Sequence, residues 1–217
     1  MADYSPTSRR PIAESFRKTA DLAVRFCVRA GISPDAVSYS SILAALIAGA
    51  MFWQSSRLPI FLLIAPIFCF IRLWLNMLDG MVAIASGKAS KRGEIINELP
   101  DRVSDILIFA GVAHSTYCNP IIVYWAAILA VMTAYIGVTG QAVAGKREYA
   151  GLMSKPWRMV WLAIGSCITF GLLASGVGDI SFAKLSVFDW TCVTIIVGCV
   201  QTCIIRLRRT LAILDQR

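Results

Sequence analysis

Residues 59–85 read PIFLLIAPIFCFIRLWLNMLDGMVAIA, with Arg72 and Asp79 as their only charges. A helix crosses the hydrocarbon core with about 20 predominantly apolar residues. This run is long enough to cross and to project beyond the bilayer at its polar end. Its apolar residues are continuous, where a barrel strand would alternate them with polar ones. Five further apolar runs lie at 37–54, 97–117, 120–143, 158–177 and 187–206. The 217-residue chain is 57% hydrophobic and only 16% charged, and its mean hydropathy is +0.67. Soluble domains are about 45–50% apolar and about 25% charged. The composition therefore excludes an ordinary soluble domain, a disordered chain and a disulfide scaffold. It predicts an all-α integral membrane protein with six transmembrane helices.

The basic residues orient these spans. Of 21 Lys and Arg residues, 17 lie before residue 37, in 86–92, in 144–158, or from Arg206 onward. Arg57 and Lys184 are the two on the other side, and Arg72 and Arg102 fall inside spans. The bias places both termini in the cytoplasm. Between Ile12 and Ala30, Arg17, Lys18, Arg25 and Arg29 interleave with Phe16, Leu22, Val24 and Phe26, the pattern of an amphipathic surface helix. The organisation expected is a cytosolic arm with that helix over 1–36, a six-helix domain over 37–206, and a basic tail over 207–217. The net charge of +8 then reports topology and anionic lipid, not nucleic acid. The seven cysteines form no CxxC pair and His114 is the sole histidine, so packing thiols are expected in place of a Cys/His metal site.

Acidic residues concentrate in one region. It runs Asn76-Met-Leu-Asp79-Gly80-Met-Val-Ala83-Ile84, and then Gly93-Glu94-Ile-Ile-Asn97-Glu98-Leu-Pro100-Asp101-Arg102-Val-Ser-Asp105. A charge at the centre of a span costs about 2.5–3.5 kcal/mol on insertion scales, so several together point to a function. Asn76, Asp79, Gly80 and Ala83 share one helical face, and Gly93, Asn97, Asp101 and Asp105 share another. Two antiparallel helices would oppose these faces and form a pocket of hard oxygen donors near the cytoplasmic surface. Such donors suit Mg²⁺, Mn²⁺ or Ca²⁺. The glycines remove side chains where a ligand nears the backbone.

The frame resembles that of the CDP-alcohol phosphotransferases, D-x2-D-G-x2-A-R-x8-G-x3-D-x3-D. Every spacing matches, and Asp79, Gly80, Ala83, Gly93 and Asp101 match in identity. The resemblance implies transfer of a phosphatidyl or phosphoalcohol group from a CDP-linked donor, most often CDP-diacylglycerol, to an alcohol in phospholipid synthesis, with release of CMP. It implies metal ligands at Asp79, Asp101, Asn76 and Asn97, with Asp101 also the catalytic base. Gly80, Ala83 and Gly93 would line the nucleotide site. It further implies Mg²⁺ or Mn²⁺ as cofactor, a CDP-lipid donor and alcohol acceptor as partners, and membrane lipids around a homodimer. Size and the strong positive-inside bias point to a bacterial inner membrane, with a eukaryotic endomembrane as the alternative, and to a site facing the cytoplasm.

The chain departs from the pattern at three positions: Asn76 and Asn97 replace aspartates, and Ile84 replaces the arginine. An Asn oxygen ligates Mg²⁺ but brings no charge. Two carboxylates balance one divalent ion where four balance two. Glu94, Glu98 and Asp105 are nearby acids that could compensate, although Pro100 disturbs their phase. Lys155 and Arg158, in a second basic cluster, are candidates for binding phosphate. Arg72 is expected to pair with an acid, and His114 to be a satisfied packing or interface residue. The departures motivate an alternative, a catalytically inactive relative that binds a nucleotide or lipid head group. An ion transporter is a third reading, disfavoured because the acids cluster near one surface.

Overall fold

Gly87 ends the helix that begins the acidic region. Its φ is +67°, a left-handed value that glycine adopts without penalty. The amide of Gly87 donates to the Ile84 carbonyl at 3.1 Å and that of Lys88 to the Ala83 carbonyl at 2.9 Å. This is a Schellman stop, in which the turn satisfies the last free carbonyls. The computed structural model that shows it describes residues 17–89, 91–145, 147–177 and 181–215, without the side chains of 17–19, 91, 92 and 94–97.

Within the described residues the secondary structure is seven helices and one isolated bridge, Phe182 with Leu185. The helices are α1 (Arg17–Arg29), α2 (Pro34–Gln54), α3 (Phe61–Ala85), α4 (Lys91–Ala113), α5 (Pro120–Ala144), α6 (Lys155–Ala174) and α7 (Val187–Leu214). Five of them, α2, α3, α5, α6 and α7, are long and apolar enough to cross a membrane. The helix at the expected third span, α4, is long enough, but its first half carries Lys91, Arg92, Glu94, Glu98, Asp101 and Arg102. It begins six residues before the expected 97 because charged residues extend the helix past its apolar part. For the same reason α7 continues through Arg208 and Arg209 to Leu214.

The chain divides into two compact units. The first contains the described residues up to Ala44 and Ile71–Ser104. Val24 and Cys27 of α1 pack with Val37, Leu78 and Val82 in its core. The opposite side of α1 leaves Leu22 74% and Phe26 66% exposed. A second Schellman turn at Gly31 joins α1 to α2, with the Ile32 amide on the Cys27 carbonyl at 2.9 Å.

The second unit contains Ala45–Phe70 and Asp105–Arg217. Here α2 and α4 cross with their backbones in contact. A Cβ at Gly111 would strike the Gly49 backbone, and one at Gly49 the Leu107 carbonyl. Ala45 and Gly49, the small pair that reads as a packing motif in the sequence, lie on this crossing helix. At the other end of the unit a capping box of Ser186 and Asp189 starts α7. Asp189 Oδ1 also accepts from the Asn119 amide at 2.6 Å, and Ser186 Oγ donates to the Tyr117 carbonyl at 2.7 Å. All seven cysteines are free. In the α4–α5 loop, burial pushes the Cys118 thiol up to about 12, with the Asp189 charge adding to the rise. Such a thiol stays protonated and packs as a small apolar group. His114 stacks against Trp53 at 5.6 Å and meets Tyr124 edge-on at 6.3 Å, with Nδ1 2.8 Å from the Ala110 carbonyl. It is exposed and packs against these two rings.

Candidate active site

The first unit holds the acidic frame. Arg72, Asn76, Asp79, Gly80 and Ala83 follow one another along one face of α3. Asp79 is buried, and its Oδ2 accepts from Ser38 Oγ of α2 at 2.5 Å. Asp101, on α4, is also buried. Arg72 NH2 donates to the Asp101 backbone carbonyl at 2.9 Å and to its Oδ1 at 3.3 Å. The Arg72 side chain is 0% exposed. A guanidinium keeps its charge at any ordinary pH, and a buried charge requires a partner. The pairing expected for Arg72 is therefore present, and the acid is Asp101.

Asn76, Gly80, Ala83 and Gly93 are half-buried, and Ile84 is 55% exposed. A Cβ built at Gly80 meets nothing within 4 Å, so open space adjoins the backbone there. The side chains of Asn97 and Glu94 lie outside the described residues. Glu98 pairs with Arg102 one turn along α4.

Asp79 and Asp101, with the amide oxygen of Asn76, provide hard oxygen donors on neighbouring helices. Oxygen donors of this kind suit a divalent cation in type. Among the described residues, no group of three or more His, Cys, Asp and Glu could hold a metal.

Asp105, Lys155 and Arg158 belong to the second unit. All three are buried. Arg158 NH2 binds Asp105 Oδ2 at 2.7 Å, and its NH1 donates to Thr133 Oγ1 at 3.3 Å and the Met153 carbonyl at 3.2 Å. Arg206 donates to the Thr133 carbonyl at 2.5 Å and the Ala150 carbonyl at 3.0 Å. Two buried guanidiniums therefore meet at Thr133. Sequence reasoning counted Arg206 only as a topogenic charge and overlooked Thr133 and Ser38. A hydroxyl inside an apolar run carries no sequence signal for the carboxylate it will meet.

No family model matches the chain. Among curated proteins it is 29% identical over 124 residues to the inner membrane protein YnbA of Escherichia coli, a match covering 57% of this chain and 61% of that protein. The chain is 26% identical over 180 residues to the phosphatidylinositol phosphate synthase of Mycobacteroides abscessus, covering 73% of this chain and 72% of that enzyme. Crystal structures of the Mycobacterium tuberculosis phosphatidylinositol phosphate synthase share the fold. The form with CDP-DAG bound superposes with a TM-score of 0.70 at 19% identity, over 89% of this chain and 94% of that one. The form in complex with manganese and citrate gives the same score over 88% of each chain. The chain is thus similar in sequence to phosphatidylinositol phosphate synthases, members of the CDP-alcohol phosphatidyltransferase family, and shares the fold of one of them over most of its length.

Proposed function

We propose that the chain transfers a phosphatidyl group from CDP-diacylglycerol to a hydroxyl-bearing acceptor and releases CMP. The observation that carries this reading is the pair of buried carboxylates, Asp79 and Asp101, at their motif positions on α3 and α4. Sequence relatives that make phosphatidylinositol phosphate support it. They also favour a phosphorylated polyol as acceptor.

Asp101 takes the proton of the acceptor hydroxyl as general base. The acceptor oxygen bonds to the phosphorus that carries the diacylglycerol. The bond from that phosphorus to the bridging oxygen breaks, and CMP leaves with the electron pair. Ser38 holds Asp79 in one orientation, and Arg72 does the same for Asp101. Asp79, Asp101, Asn76 and Asn97 are the residues that would hold a divalent cation, which would supply positive charge against the diphosphate when bound. Gly80, Ala83 and Gly93 give the nucleotide close access to the backbone. Glu94 and Glu98 remain candidates to compensate for the missing carboxylates, and Asp105 serves Arg158. Lys155 and Arg158 are the candidates for holding an acceptor phosphate.

In this reading α4 completes six spans, α1 lies on the membrane surface, and both termini and the active site face the cytoplasm of a bacterial inner membrane. The enzyme works as a homodimer. The domain limits remain an arm over 1–36, the six-helix domain over 37–206 and a tail over 207–217.

The test is CMP release from CDP-diacylglycerol with Mg²⁺ or Mn²⁺ and a set of alcohols that includes inositol phosphate. Release is expected to need metal and to fall by at least about 100-fold in Asp101→Asn, the lower bound for loss of a general base. Absence of release with the CDP-lipid still bound would replace this reading with that of an inactive relative, to which Asn76, Asn97 and Ile84 point.

A further inference from the structure

A hollow of about 570 Å³ lies against α1, lined by its Leu22, Ala23, Arg25, Phe26 and Arg29 and by Trp74 of α3. A second, of about 200 Å³, is bordered by the same two arginines and by Ala85, the last residue of α3. All these residues belong to the first unit. Trp74 stands about three turns deeper in α3 than Ala85, within a helix apolar enough to cross a membrane. Arg25 and Arg29 are one helical turn apart, close enough to converge on one anion. Both are exposed, and among the described residues neither has an ion-pair partner. Asp21 is the single acid of α1, against Arg17, Lys18, Arg25 and Arg29.

The groove therefore joins a cationic edge at the end of α3 to an apolar wall that continues into the span. A second copy of the chain fits it poorly, because a two-fold contact would bring the same arginines of both copies together. An acidic peptide satisfies the arginines but not a wall of Leu22, Phe26 and Trp74 that opens at membrane depth. A lipid with a charged head and an acyl chain satisfies both parts. We propose that this groove binds one anionic phospholipid of the bilayer, its phosphate on Arg25 and Arg29 and an acyl chain along Leu22, Phe26 and Trp74. The site goes beyond the transferase reading and stands without it. On its inner side α1 packs through Val24 and Cys27 on Leu78 and Val82, so the bound lipid clamps α1 to the helix that carries Asp79.

The experiment uses the full chain in uncharged detergent, mixed with phosphatidylglycerol or phosphatidylcholine, with bound lipids counted by native mass spectrometry. One phosphatidylglycerol per chain is expected to outlast phosphatidylcholine. The double variant Arg25→Gln, Arg29→Gln should weaken its binding by about 30-fold, the worth of two basic residues at an anionic surface. Phe26→Ser should weaken it by about tenfold. Arg208→Gln, Arg209→Gln, which removes the same charge from α7, should leave it within about twofold. Equal retention of the two lipids would overturn the proposal, as would an equal loss in the α7 control. Displacement of the lipid one for one by CDP-diacylglycerol would make the groove the donor's own seat and overturn it too. The parent chain offers a test that needs no variant. Raising ionic strength from about 0.1 M to about 1 M shortens the Debye length from about 10 Å to about 3 Å and should release the lipid; salt-independent binding would overturn the proposal.

Discussion

Gly80 and Gly111 are both helical glycines, and their surroundings differ. A Cβ at Gly80 meets nothing, whereas one at Gly111 falls on the backbone of Gly49. Alanine favours a helix over glycine by about 0.8–1 kcal/mol, so Gly80→Ala should fold at least as stably as the parent. If the nucleotide approaches the backbone there, the same methyl group obstructs it. The expected outcome is a thermal unfolding midpoint equal to or above that of the parent, with CMP release lowered by about tenfold or more, the loss expected when a substrate is slightly misplaced. A fall in both together would mean that Gly80 serves packing.

At the scale of elements, the α2–α4 crossing makes the opposite prediction. Gly111→Ala forces two backbones apart, and overpacking of this kind costs about 1–3 kcal/mol. Its unfolding midpoint in detergent should drop by about 5 °C, and Gly49→Ala should behave alike. The helices themselves were legible in the sequence because each span repeats one signal, apolarity, over some 20 residues. Their ends were less so. Lys91, Arg92 and Glu94 at the start of α4, and Arg208 and Arg209 near the end of α7, are helical without being apolar, and hydropathy marks the apolar part alone. The motif spacing placed Asp79 and Asp101 on adjacent helices, and the deep position of Arg72 pointed to an acidic partner. Which acid it meets, 29 residues away, depends on how α4 packs, and no local pattern encodes that. The Ser38 contact to Asp79, across 41 residues, was invisible for the same reason.

For the whole molecule, the charge asymmetry predicts a cytoplasmic C-terminus. A fluorescent protein fused after Arg217 should therefore fold and fluoresce, and alkaline phosphatase at the same place should stay inactive. Phosphatase inserted beside Lys184 should be active. Active phosphatase at the C-terminus, together with inactive phosphatase beside Lys184, would exclude α4 as a crossing if the N-terminus stays inside.

The bond between Arg72 and Asp101 also bears on how the chain is made. The insertion machinery meets α3 first, with an arginine in its interior, and then α4, whose charges disqualify it as a span by composition. The buried Arg72 of α3 finds a counter-charge in Asp101 of α4. Partitioned singly, α4 would be returned to water. If α4 crosses the membrane, its arrival while α3 still waits at the lateral gate would let the two enter lipid with Arg72 already paired to Asp101, and the same ion pair would then serve the making of the chain.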